Sequence, residues 1–175
     1  MRIAISGLSG CGNTTTCKAL AEKLGYPVVN YTFRQMAEER GMDFWDFSAL
    51  AEKDFSIDRE LDSKMVEMAK AQENCILGSR LAIWNLKDAD LKVYLRVSAE
   101  TRAERVFKRE GGSLKQRIEE TEKRDELNRA RYLKIYGIDN TKPEGTADLI
   151  IESDNLSVDE IVDIILNAVC TKESK

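Results

Sequence analysis

Histidine is absent from this 175-residue chain, and no apolar run in it is long enough to span a bilayer. Without histidine, His-based catalytic triads and most zinc sites are excluded. The first apolar stretch is also too short for the core of a secretory signal. We therefore expect a cytoplasmic protein that does not bind membranes.

Paired cysteines and excess basic charge are also missing. The four cysteines form no C-x-x-C pair, and 27 Lys and Arg stand against 31 Asp and Glu, for a net charge of −4. Such cysteines are typical of reduced thiols buried as small apolar side chains. A nucleic-acid binder carries a basic patch, so the charge argues against that class of partner. No segment indicates an obligate protein partner, and the length predicts one domain, residues 1–175.

A glycine-rich turn follows the first apolar run. Residues 2–6 are rich in β-branched side chains and predict a buried strand, and a helical pattern begins at residue 13. Between them, glycines let backbone N–H groups turn toward an anion, and the N-terminus of the helix adds partial positive charge. We therefore predict a loop that binds the phosphates of a nucleotide. Its residues are Gly7, Leu8, Ser9, Gly10, Cys11, Gly12, Asn13, Thr14 and Thr15.

One position of this loop departs from the pattern G-x-x-x-x-G-K-[ST]. The spacing of both glycines is intact, and Thr14 holds the position whose hydroxyl ligates Mg²⁺ in such loops. The lysine, however, is replaced by Asn13, which donates a hydrogen bond but brings no charge. A glycine-rich turn without a ligand remains the alternative.

Predicted strands and helices alternate along the whole chain, which indicates an α/β fold with a parallel sheet covered on both faces. Thr32, Ser98, Ser157 and Asp58 are predicted helix N-caps. The strands are predicted at 2–6, 28–31, 75–78, 91–97 and 148–152. The helices are predicted at 13–24, 32–41, 44–53, 58–72, 99–110, 114–136 and from 158 onward.

Two sets of polar side chains share faces of consecutive predicted helices. A Gly-Gly pair at 111–112 lies between the helices, so the faces suggest a hinged flap closing over a polyphosphate. Interleaved glutamates equally suggest solvated helices with weak ion pairs, and spacing alone leaves both interpretations open. The sets are Arg102, Arg105 and Arg109, and Arg124, Asn128 and Arg131.

Two further arginines follow predicted strands. Arg80 comes directly after the third strand, and Arg34 lies early in the helix after the second. Ligands of doubly wound sheets bind beyond the carboxyl ends of the strands, so both are placed to meet one. A surface position without function is the simpler interpretation of either arginine alone. Asp58 and Asp62 form an i, i+4 pair, and the N-cap is the simpler role for Asp58.

Taken in order, these motifs resemble the short cytidylate kinase-like family of archaea and some bacteria, a branch of the P-loop nucleoside monophosphate kinases. The similarity spans nearly the whole chain. The matching stretches are FRQMA at 33–37, GM at 41–42, FSALAE at 47–52, IDR at 57–59, GSRLA at 78–82, REG at 109–111, RY at 131–132 and YGID at 136–139.

The resemblance implies a three-layer α/β/α P-loop domain with a five-stranded parallel sheet, an acceptor-binding segment at about 31–72 and a lid at about 108–116. It implies transfer of a phosphoryl group from ATP, with Mg²⁺, to a nucleoside monophosphate, CMP or dCMP first. By this likeness Asn128 faces the acceptor base, Asp58 lies on the acceptor side, and Arg102 binds ATP. The acceptor phosphate would be held by Arg34, Arg80, Arg124 and Arg131.

Departures from the family pattern affect the acceptor side and the γ-phosphate. Besides the missing lysine, they are Asn30-Tyr31, Gly78-Ser79 and Asn128. An active enzyme must replace the stabilisation that the lysine would supply, and we expect Arg105 or Arg109 of the lid to act with Asn13 as catalytic residues. Two alternatives stay open: a P-loop kinase for another small phosphate acceptor, and a nucleotide-binding regulatory protein with reduced catalysis.

Overall fold

A five-stranded parallel sheet forms the centre of the protein in the computed structural model, which describes residues 1–173. Residues 174 and 175 of the predicted domain range lie outside the described residues. The strands are β1 (Arg2–Gly7), β2 (Val28–Val29), β3 (Cys75–Gly78), β4 (Leu91–Arg96) and β5 (Leu149–Glu152). The helices are α1 (Asn13–Leu24), α2 (Phe33–Glu39), α3 (Phe44–Lys53), α4 (Ser56–Lys70), α5 (Ala82–Asn85), α6 (Ala99–Glu110), α7 (Leu114–Tyr136) and α8 (Val158–Glu173).

The sheet order is β2-β3-β1-β4-β5, so β1 lies in the middle, and all neighbours are parallel. Ile5 of β1 is paired with Gly78 of β3 on one side and Val93 of β4 on the other. The loop after β1 is therefore flanked by the chain that leaves β3 and β4. The predicted α/β fold with a five-stranded parallel sheet is confirmed.

Alternate residues of β1 pack on opposite faces of the sheet. Ile3 and Ile5 join an apolar cluster with Leu20 of α1, whereas Ala4 joins a second cluster that contains Phe47 of α3. All five side chains are fully buried. Burial of apolar surface on both faces is the main favourable contribution to folding, and it explains why the strands read as apolar runs rather than as alternating ones.

Helix starts follow the predicted caps, with one exception. Thr32 forms a capping box at α2, Ser98 caps α6, and the Ser157 hydroxyl accepts a hydrogen bond from the chain at the start of α8. The predicted cap at Asp58 is wrong. Because α4 begins before it, Asp58 lies in the first helical turn, where its carboxylate binds Arg131 instead.

The end of β1 has no room for a side chain. A Cβ at Gly7 would lie 2.6 Å from the Cys11 sulfur and 2.8 Å from the Leu95 carbonyl oxygen, which cannot rotate away. We expect Gly7→Ala to lower the free energy of unfolding by about 1–3 kcal/mol, measured by urea denaturation. Lys18→Ala, on the exposed face of α1, is the control and should change it by less than about 0.5 kcal/mol. Unchanged stability of Gly7→Ala would contradict the close packing.

Candidate active site

A cavity of about 720 Å³ opens at the carboxyl edge of the sheet. It is lined by the β1–α1 loop, by the chain that follows β2 and β3, by parts of α4, α6 and α7, and by the β5–α8 connection. The cavity therefore lies where parallel sheets place their ligands, next to the central strand.

The β1–α1 loop contributes all of its predicted phosphate-binding residues, 7–15, to the lining of this cavity. Gly10 and Gly12 have φ angles of 83° and 95°, a backbone conformation that side chains other than glycine rarely adopt. Gly12 is the N-cap of α1, and Thr14 is exposed in its first turn. The first N–H groups of a helix have no carbonyl partner within it, so this helix start is built to receive an anion.

Asn13 lines the cavity, but both ends of its side-chain amide are bonded to protein groups. Its amide nitrogen donates to the carbonyl oxygen of Ile5 at 3.2 Å and to that of Ser79 at 3.4 Å. Its amide oxygen accepts from the Cys17 thiol at 3.3 Å. Burial raises the pKa of Cys17 to about 12, so the thiol keeps its proton at neutral pH. Asn13 therefore connects α1 to the ends of β1 and β3.

Arg102 bonds to the backbone of the β1–α1 loop. This side chain is only 3% exposed, and its guanidinium donates to the carbonyl oxygen of Ser9 at 2.9 Å and to that of Val97 at 3.1 Å. Its third bond, at 2.6 Å, goes to the carboxylate of Asp125 in α7. Among the described residues Arg102 does not line the cavity, so it contacts the loop backbone rather than the space a nucleotide would fill.

Arg105 and Arg109, the two arginines of α6 predicted to be catalytic, differ in exposure. Arg105 donates to the carbonyl oxygen of Cys11 at 2.9 Å and to that of Ser153 at 2.8 Å, which joins the loop to the end of β5. Arg109 is exposed and bonds to the neighbouring Glu110 at 2.5 Å. Both line the cavity.

On the acceptor side, Arg131 makes a forked ion pair with Asp58. The guanidinium donates to the two carboxylate oxygens at 2.9 and 2.5 Å and to the carbonyl oxygen of Ala51 at 2.7 Å. Asp58 is buried and lines the cavity. Such a pair joins α7 to α3 and α4, and it shields the arginine's charge.

Arg80 lies between the loop and the acceptor side. Its guanidinium donates to the Ser9 hydroxyl at 3.1 Å and contacts the hydroxyl of Tyr132 in α7. Burial raises the pKa of Tyr132, and the nearby Arg80 opposes the rise. Arg80 therefore meets two neutral hydroxyls and keeps its positive charge available in the cavity.

Four of the predicted substrate residues are not among the described residues that line the cavity: Arg131, described above, and Arg34, Arg124 and Asn128. Arg34 is exposed, with its guanidinium 4.7 Å from the centre of the Phe44 ring. Arg124 is exposed on α7, and Asn128 is half-buried one turn further along the same helix. Their assignment to the acceptor therefore stays a prediction.

Sequence reasoning missed one carboxylate of the cavity. Asp62 lines it, and its oxygen accepts a 2.5 Å hydrogen bond from the Tyr136 hydroxyl. Burial raises the pKa of Asp62, and the charge of Asp58 one turn away raises it further. The i, i+4 spacing of the two aspartates was visible in the sequence, but the partner on α7 was not. Other lining residues that were not predicted include Tyr31, Phe33, Leu61, Met65, Leu156 and Ser157.

Two further kinds of site are missing from the part of the chain that the structure describes. No helix within residues 1–173 combines the length and the apolar character needed to cross a membrane. Over the same range, His, Cys, Asp and Glu side chains do not gather in a group of three that could hold a metal ion.

Comparison with known proteins gives a consistent result. The model of the cytidylate kinase-like family matches residues 2–155. A cytidylate kinase 2 of Borreliella afzelii is 40% identical over 178 residues, covering 100% of this chain and 99% of that protein. A cytidylate kinase of Pyrobaculum aerophilum is 43% identical over 175 residues, covering 98% and 94%.

A solved structure shares the architecture at lower identity. Shikimate kinase from Bacteroides thetaiotaomicron superposes with a TM-score of 0.62 at 18% identity, covering 97% of this chain and 98% of that one. This likeness concerns the P-loop kinase fold alone.

The partly buried Asp62 gives a test of the site's electrostatics. Because folding raises the pKa of Asp62, the folded protein binds a proton at this carboxyl more readily than the unfolded chain does. The contribution of Asp62 to the free energy of unfolding therefore falls as pH rises above about 4. Asp62→Asn should therefore unfold at higher urea than the wild type at pH 8, with the gain vanishing toward pH 4. Asp154→Asn is the matched control of opposite sign, because Ser98 lowers the pKa of Asp154. A gain for Asp62→Asn that does not depend on pH would contradict this assignment.

Proposed function

This chain belongs to the cytidylate kinase-like family, and on that premise we propose that it transfers the γ-phosphoryl group of ATP to CMP. The observation that supports this most is that an anion-binding loop and a wall carrying Asp58 and Asp62 share one cavity, with Arg80 between them. The proposal also places the enzyme in the cytoplasm, with the two nucleotides rather than nucleic acid or a membrane as its partners.

We assign the donor to the β1–α1 loop. Its residues 7–15 would surround the β- and γ-phosphates, with the start of α1 directed at them. The donor set fits Mg²⁺ carried by ATP: Thr14 offers one exposed hydroxyl, and phosphates and water, hard oxygen ligands, would supply the rest. When bound, Mg²⁺ neutralises charge on the β- and γ-oxygens.

We assign the acceptor to the wall formed by α4 and α7. Arg131 and Arg80 would hold the phosphate of CMP, with Asp58 keeping the Arg131 fork oriented before the acceptor arrives. Arg131 itself does not line the cavity, and neither do Arg34, Arg124 and Asn128, so their roles require residues 31–72 and the lid at 108–116 to close on the nucleotides. Gly111 and Gly112, with φ angles of 72° and 92°, lie between α6 and α7 at the place for such a hinge.

The chemistry requires no general base. An oxygen of the dianionic CMP phosphate forms a bond to the γ-phosphorus while the bond from that phosphorus to the ADP oxygen breaks, so no proton has to move. Catalysis then rests on placing the two phosphates in line and on neutralising charge. Closure over both nucleotides would also keep water from attacking ATP.

A panel of acceptors in a coupled assay for ADP release tests the proposal. We expect the highest kcat/KM with CMP, ahead of dCMP and UMP. Turnover only with an acceptor that is not a nucleotide would support the alternative of another small-molecule kinase. ATP binding without turnover on any acceptor would support a regulatory protein.

Arg131→Lys tests the acceptor assignment. Lysine keeps the charge but loses the two parallel N–H groups, so KM for CMP should rise about tenfold or more while KM for ATP stays unchanged. Arg129→Lys, on the same helix, is the matched control: this arginine is half exposed, pairs with Asp139 outside the cavity, and should leave both values unchanged. An equal rise in KM for ATP and for CMP in Arg131→Lys would contradict the assignment.

A further inference from the structure

Resting on the proposed function, we infer that Arg80 brings to the β- and γ-phosphates the positive charge that a lysine at position 13 would bring, and that Asn13 positions it. The positive charge in the donor site would then be carried by a residue at the end of β3 instead of by a residue of the loop. Arg80 would contact the donor even without an acceptor, which separates this inference from a role in holding CMP alone.

The hydrogen bonds of Asn13 support the positioning role. Two carbonyl oxygens, of Ile5 and Ser79, face its amide nitrogen, and the Cys17 thiol faces its amide oxygen. This arrangement fixes the orientation of the amide, since carbonyls accept and a protonated thiol donates. One of the bonded carbonyls belongs to Ser79, the residue directly before Arg80. The side chain that replaces the lysine therefore holds the backbone from which Arg80 extends.

Gly78 shows that this contact is a close one. A Cβ at this position would lie 2.5 Å from the Cys17 sulfur and 3.3 Å from the Asn13 amide oxygen. Only a residue without a side chain lets β3 approach α1 so closely. Asn13, Cys17 and Gly78 therefore form one packed unit, which we call the β3 anchor.

Arg80 is the best placed of the cations that line the cavity. The described lining residues with positive charge are Arg80, Arg105 and Arg109. Both terminal nitrogens of Arg105 already donate to main-chain carbonyls, and the charge of Arg109 is paired with the Glu110 carboxylate. Arg80 touches the Ser9 hydroxyl inside the loop, and among the described contacts its charge is not paired with a carboxylate.

The charge that develops during phosphoryl transfer explains why the position of Arg80 matters. Negative charge shifts onto the oxygen between the β- and γ-phosphorus atoms as the bond to ADP breaks and the bond to the CMP phosphate forms. A guanidinium fixed between the loop and the acceptor wall stabilises that charge without reorganising.

Nucleotide affinities measured without acceptor, by titration calorimetry, test the charge. Arg80→Ala should weaken ATP binding about tenfold or more and ADP binding less, because ADP lacks the γ-phosphate. Arg129→Ala is the matched control: this arginine pairs with Asp139 outside the cavity, and its loss should leave ATP affinity unchanged. Wild-type ATP affinity in Arg80→Ala would overturn the inference, and turnover of CMP by the wild type in the same preparation would show that the proposed function stands regardless.

The positioning role is tested by a double-mutant cycle. Asn13→Ala should lower the ratio of ATP to ADP affinity in the wild type but not in an Arg80→Ala background, because its effect passes through Arg80. Cys17→Ser keeps a donor to the Asn13 amide and should retain the ratio that Cys17→Ala lowers. A general loss of stability would weaken the binding of both nucleotides equally and would not change the ratio of ATP to ADP affinity. Fully additive losses from Asn13→Ala and Arg80→Ala would overturn the positioning role.

Discussion

A loop that binds an anion through its N–H groups leaves its own carbonyl groups to be satisfied from elsewhere, and this requirement organises the protein. Here the carbonyls of Ser9 and Cys11 accept from Arg102 and Arg105 of α6. Buried backbone polar groups without partners are costly, so the loop keeps its shape only while α6 stays in place. The two arginines therefore serve the loop's architecture, and the N–H groups remain available for phosphate.

The same requirement joins α7 to α6 and to the loop. Arg102 is nearly buried, so its charge needs a partner, and the Asp125 carboxylate of α7 supplies it. Removing one member of a buried ion pair typically costs about 3–5 kcal/mol, because the other charge is left unpaired. Helices α6 and α7 are thus both connected to the phosphate loop through Arg102. The Gly111–Gly112 connection between the two helices is exposed.

Strands, caps and the phosphate loop were predictable because local patterns determine them: β-branched runs, Ser or Thr before a helix, and glycines at fixed spacing. The four-residue helix α5 was not, since so short a segment shows no period. Side-chain partners distant in sequence were also beyond reach. The i, i+3, i+7 spacing placed Arg102, Arg105 and Arg109 on one face of α6. In the structure Arg102 is buried beside Asp125, whereas Arg109 is exposed to solvent. The pairing of Asp58 with Arg131, 73 residues away, likewise has no local signal.

The β3 anchor has a consequence for how such chains diverge. Because Asn13, Cys17 and Gly78 touch one another, a change at one alters the space left for the others. A side chain at position 78 would fit only with a residue smaller than cysteine at position 17, because the Cys17 sulfur is its nearest neighbour. The residues at positions 13, 17 and 78 should therefore be inherited as a set, with mixed combinations rare among relatives.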